Sequence, residues 1–102
     1  MISAAMNLEA DIRAALRTVI DPELGYNIVD LGLVYDIEVR PKGVIAVVMT
    51  TTTRFCPATG FIREAVEACV RGVPGVSSVE VELTYDPPWG AERMTPEIAR
   101  QF

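Results

Sequence analysis

The sequence predicts a two-layer α+β domain with the element order α-β-β-α-β, a small three-stranded mixed sheet and a short C-terminal helix. Three observations predict it. Two stretches carry apolar residues at helical spacing, three carry them at strand spacing, and turns rich in glycine and proline separate them. The chain has 102 residues, half of them hydrophobic, which is enough for one core and too few for two, so residues 1–102 read as a single domain.

Over residues 7–19, Leu8, Ile12, Ala15, Leu16 and Val19 recur with helical period while Glu9, Asp11, Arg13 and Arg17 fall elsewhere, which predicts an amphipathic helix. It should stop near Ile20, because Asp21 precedes Pro22 and Gly25 allows a turn. Residues 21–30 read as a loop. Leu33, Tyr35, Ile37 and Val39 alternate with Asp36, Glu38 and Arg40 as in a half-buried strand, and Pro41-Lys42-Gly43 turns the chain. Residues 44–51 are apolar on both faces, which places them centrally in the sheet and in an antiparallel hairpin with the preceding strand. After Pro57, Ile62, Ala65, Val66, Cys69 and Val70 form the stripe of a second helix, which Gly72-Val73-Pro74-Gly75 ends. Val79, Val81, Leu83 and Tyr85 then alternate with polar residues as a third strand. Residues 86–90 must be a loop, and Thr95-Pro96 reads as cap and first residue of a short tail helix.

Composition excludes several functions. The net charge is −5 and no run of Lys or Arg offers phosphate contacts, which argues against nucleic acid. The G-x-x-G spacing of residues 72–75 resembles an RNA-binding loop but leads from helix to strand, so the match is weak. Residues 44–49 form the longest apolar run, far too short for a bilayer, and the first residues lack the basic character of a signal peptide, so a cytoplasmic protein without a membrane anchor is expected. Two cysteines without a Cys-x-x-Cys agree with a reducing compartment. There is no histidine, so any chemistry must use thiol, carboxylate, hydroxyl or backbone.

Cys56 is the candidate that matters most. With Pro57 at the first helical position it would be the N-cap of the second helix, where unpaired N–H groups and the helix dipole favour an anion. A dipole worth about 0.3–1 kcal/mol shifts a pKa by less than about one unit, so Arg54 or a bound metal would supply the rest. A small, half-buried hydrophobe is an equally good reading of this residue taken alone. Cys69 lies on an apolar stripe and is expected in the core. One thiolate cannot complete a zinc or cluster site, which needs about four ligands, so any metal would be shared with a second copy, a partner protein or a small thiol.

Asp21 and Glu23 follow the first helix, and two readings apply to them: an Asp-Pro turn in which Asp21 bonds nearby backbone, or carboxylates beside the Cys56 loop, paired with Arg54 or orienting a ligand. Thr52 and Thr53 could line the approach to Cys56, whereas Thr50 and Thr51 read as β-branched residues closing a strand. Trp89 is either an exposed aromatic for docking a partner or one that folds back over the sheet edge.

Taken in order, Asp21-Pro22-Glu23, the run from Asn27 to Tyr35, Met49-Thr50, Thr52-Thr53, Cys56-Pro57, Val73-Pro74-Gly75-Val76 and Asp86-Pro87-Pro88-Trp89 resemble the SufT/PaaD-type iron–sulfur cluster assembly family over nearly the whole chain. The resemblance implies a compact α/β domain that matures or delivers clusters, working with the assembly machinery and client apoproteins. It also implies that Cys56 is the functional cysteine, with Asp21, Glu23, Thr52 and Thr53 nearby. Family members commonly carry Pro-Gly where this chain has Arg54-Phe55, and Arg54 adds a charge that could stabilise a thiolate. The PaaD branch has a cysteine-rich extension and this chain ends at Phe102 without one, which places the resemblance with the single-domain SufT-like branch.

Three functions follow as expectations. The first is a non-enzymatic maturation factor that transiently holds iron or an iron–sulfur cluster through Cys56, in a homodimer or with a client. The second is a metal-free adaptor that recruits clients through the loop of residues 86–89 and the sheet. The third, a thiol enzyme, lacks a histidine base and a resolving cysteine.

Overall fold

The computed structural model describes residues 4–52 and 59–100. Its elements are α1 (Ala4–Leu16), β1 (Val34–Arg40), β2 (Val44–Met49), α2 (Thr59–Arg71), β3 (Ser78–Leu83) and α3 (Pro96–Ala99). The sheet order is β1-β2-β3, antiparallel between β1 and β2 and parallel between β2 and β3. This is the mixed sheet that the sequence predicts, with the two-sidedly apolar strand in the middle. Antiparallel pairing follows from the tight turn at Pro41–Gly43, and parallel pairing from the crossover through α2.

Both long helices lie on one face. Ile12 and Leu16 of α1 and Ile62, Val66 and Val70 of α2 are fully buried at helical spacing, with Ile37, Ile45, Val47, Met49 and Val81 of the sheet in the same core.

Three local readings change. Helix α1 ends at Leu16 rather than near Ile20, because the amides of Arg17, Thr18 and Val19 switch to carbonyls three residues back and the Thr18 hydroxyl takes the Ala15 carbonyl at 2.7 Å. Val19 stays buried although it has left the helix. Cys69 is half-buried rather than a core residue. Its Sγ lies 3.0 Å from the Ala15 carbonyl and 3.7 Å from the Thr18 hydroxyl, at the contact between the two helices. Thr95 precedes α3 as expected but makes no side-chain cap bond, and its buried Oγ1 has no partner among the described residues. The Thr95 amide is instead bonded to the Asp30 carbonyl at 2.8 Å.

That last bond belongs to a strap. After β3 the chain returns across the loop before β1, where Trp89 Nε1 donates to the Leu31 carbonyl and the Tyr35 hydroxyl to the Pro87 carbonyl, both at 2.8 Å. The Arg93 guanidinium lies 4.5 Å from the centre of the Tyr35 ring. Trp89, Met94 and Ile98 are half-buried against the core. Trp89 thus folds back on the domain. Trp89→Ala removes both the indole packing and a hydrogen bond, and is expected to cost about 2–4 kcal/mol. The check is a lowered urea midpoint at unchanged slope; a midpoint equal to wild type would show that the strap does not hold the fold.

Candidate functional site

The candidate site draws on two segments: the loop after α1, which holds Asp21, and the C-terminal end of β2, which precedes Cys56 in the sequence. In the loop, the Asp21 amide donates to the Tyr26 carbonyl at 2.9 Å and the Asp21 carbonyl accepts from the Gly25 amide at 2.8 Å. Gly25, at φ 79°, supplies the left-handed backbone that this closure needs. The Asp21 side chain completes the turn, with Oδ1 accepting the amides of Glu23 (2.7 Å) and Leu24 (3.2 Å). This is the Asp-Pro turn that the sequence suggests.

The turn accounts for only one carboxylate oxygen. Asp21 is 1% exposed, and its Oδ2 has no partner among the described residues. An unpartnered buried acceptor costs roughly 1–3 kcal/mol, and an asparagine would make the same turn without a charge. Glu23, two residues on, is exposed.

Three backbone bonds tie this loop to the end of β2: Ile28 N–H to the Val19 carbonyl, Leu33 N–H to the Ile28 carbonyl, and Thr50 N–H to the Leu33 carbonyl, at 2.9 to 3.0 Å. At that end Thr50 and Thr51 are buried. Among the described residues the Thr50 hydroxyl reaches only the neighbouring Thr51 carbonyl, at 3.3 Å. Thr51 does more than close a strand, since its hydroxyl lies 2.9 Å from that of Tyr85. The alternation of residues 79–85 marks Tyr85 only as a strand position, and the structure adds its hydroxyl to the surroundings of the candidate site. The signal was present in the register: Met49 pairs with Leu83, so two residues further on Thr51 meets Tyr85. Thr52 is half-buried and is the last described residue before the segment of Thr53, Arg54 and Cys56. That segment, with the expected cap at Cys56-Pro57, lies outside the described residues.

Other conspicuous residues serve the architecture. Asn27 accepts the Asp30 amide on Oδ1 and donates to Asp30 Oδ2, both at 2.9 Å, which fixes the turn before β1. Trp89 sits against Leu31 in the strap. A cleft of about 370 Å³ between α1 and the turn at Pro74 is lined by Asn7, Leu8, Asp11, Pro74 and Gly75, none of them a candidate residue. Among the described residues no three side chains of His, Cys, Asp or Glu come together to hold a metal, and no helix is long and apolar enough to cross a membrane.

Residues 9–83 match the family model described as iron–sulfur cluster assembly protein. The chain is 44% identical over 92 residues to an Fe-S protein maturation auxiliary factor of Porphyromonas gingivalis, covering 90% of this chain and 88% of that protein. It is 42% identical over 77 residues to the Fe-S protein maturation auxiliary factor SufT of Staphylococcus aureus, covering 76% and 88%. Its fold superposes on the crystal structure of a domain of unknown function, DUF59, from Bacillus anthracis with a TM-score of 0.91 and 37% identity, covering 96% of this chain and 93% of that one.

Proposed function

The chain belongs to the iron–sulfur cluster assembly protein family, and from that membership we propose that it is a non-enzymatic maturation factor acting in the cytoplasm. In this reading it takes iron or an iron–sulfur cluster as transient cargo on the Cys56 thiolate, with Asp21 as an oxygen donor. It then passes the cargo to client apoproteins, working with the assembly machinery. One thiolate and one carboxylate fall short of the roughly four ligands that a cluster or tetrahedral iron requires, so the remaining donors come from a second copy, a client or a small thiol. Thr52, Thr53 and Arg54 would line the site, with Arg54 favouring the thiolate.

The observation that carries this reading is the spare oxygen of Asp21. A carboxylate that is buried, oriented by two amides and left with one oxygen unpartnered among the described residues costs stability, and a metal-handling role gives it a purpose that a turn does not. Asp21→Asn keeps the turn and removes the charge. The expected result is an apoprotein whose melting temperature is equal or higher by a few degrees, about 4–8 °C per kcal/mol gained. Iron retained after anaerobic loading should fall by about tenfold or more, the range seen when a metal site loses a supporting group. Wild-type iron retention in this variant would reduce Asp21 to a turn residue and take away the observation on which the reading rests.

A further inference from the structure

The sheet face turned away from the helices has a polarity that cluster handling leaves unused. Register places Asp36, Glu38 and Arg40 of β1 beside Val48, Ala46 and Val44 of β2, and these beside Glu82, Glu80 and Ser78 of β3. An apolar stripe therefore runs between two rows that carry four carboxylates and one guanidinium. All the residues of the outer rows are exposed, while Val44 and Val48 are half-buried.

The two ends of this face differ. At one end Arg40 reaches across the stripe, with Nη1 at 3.0 Å from Glu80 Oε2 and Nε at 3.3 Å from Glu38 Oε1. Its positive charge answers carboxylates on both edge strands. At the other end Asp36 and Glu82 stand on either side of Val48, and neither carries a cation among the described residues. Strand spacing of about 4.8 Å sets the two rows about 10 Å apart, wide enough for one apolar side chain with a cation on each flank. Polar residues on an open face are ordinary solvent dressing. A half-buried valine between two unanswered carboxylates is a more specific arrangement, and Arg40 shows within the same face what complements it.

We propose that the Asp36–Val48–Glu82 end of the open sheet face docks a partner protein through a basic–apolar–basic element, whose apolar side chain rests on Val48 and whose Lys or Arg residues meet Asp36 and Glu82. Charge selects this occupant. A second copy, also at −5, is repelled face to face, as is nucleic acid, whereas a basic protein surface is drawn in. The surface includes none of the candidate cluster-site residues and stands or falls independently of the cluster reading.

The test uses the full chain, ¹⁵N-labelled, titrated at low salt with a capped synthetic peptide Arg-Thr-Val-Thr-Arg-Gly to about 5 mM, since a short peptide at one small site binds weakly. Saturable amide shifts should concentrate at residues 36, 48 and 82. The double variant D36N/E82Q should weaken binding about fivefold or more, while E64Q/E97Q, which removes the same charge from exposed helix positions, should not. Shifts spread over the helices, equal weakening by the two double variants, or no saturable shift would each overturn the proposal.

Discussion

Replacing Gly32 with alanine is expected to cost about 2–5 kcal/mol, a large part of the 5–15 kcal/mol that holds a domain together. Two penalties combine. The backbone of Gly32 is left-handed, at φ 77°, which costs an L-residue about 1–2 kcal/mol. An added Cβ would fall on the Arg93 carbonyl oxygen and within 2.6 Å of the Arg93 Cβ. The strap cannot slide away easily, because the Thr95 amide and the Trp89 indole pin it on both sides to Asp30 and Leu31. Gly25→Ala is the matching control, since its φ is 79° but nothing lies within 4 Å of the added atom. It should lose only the conformational share, about 1–2 kcal/mol. Urea unfolding of the two variants side by side measures the strap contact as their difference, and equal losses would mean that Arg93 yields to the methyl group.

Cys56→Ser is expected to reduce transfer of iron and sulfide to an apo iron–sulfur protein to the level seen without the factor, at near wild-type stability. The exchange replaces one atom. A serine hydroxyl does not ionise near neutral pH and is a poor ligand for iron, whereas a thiolate is both a soft donor and an accessible anion. The chain has only one other cysteine, and Cys69 has its Sγ engaged at the Ala15 carbonyl between the helices. Cys69→Ala should therefore keep transfer intact and lose about 1 kcal/mol or less of stability. Full transfer by Cys56→Ser would favour the metal-free adaptor.

Much of the fold could be read from the sequence because its strongest signals are periodic. The continuous apolar character of Val44 to Met49 marks a central strand, and the stripe of Ile62, Val66 and Val70 marks a helix on the sheet. What the sequence hides depends on long-range partners. Whether Trp89 points outward or inward is decided by the Leu31 carbonyl, 58 positions away in the chain. The Thr95 hydroxyl caps no amide among the described residues, and the bond of its own amide to Asp30 joins segments 65 positions apart in the chain. The site divides in the same way. The Asp21 turn is local and legible, while the burial of its second oxygen and the pairing of Thr51 with Tyr85 arise only when loop and strands assemble. The family resemblance, carried by motifs spread over the chain, agrees with the match across residues 9–83. Part of that motif is structural: Asn27 and Asp30 shape a turn, and Gly32 admits the strap.

Whether Cys56 holds the cargo is decided by anaerobic reconstitution of wild type and Cys56→Ser with iron and sulfide, with and without added glutathione and followed by absorption and native mass. Wild type should show a chromophore with bound iron and sulfide at a fixed ratio per subunit, and Cys56→Ser should show neither. Equal iron and sulfide in the two proteins, or none in either with or without glutathione, would contradict that role of Cys56.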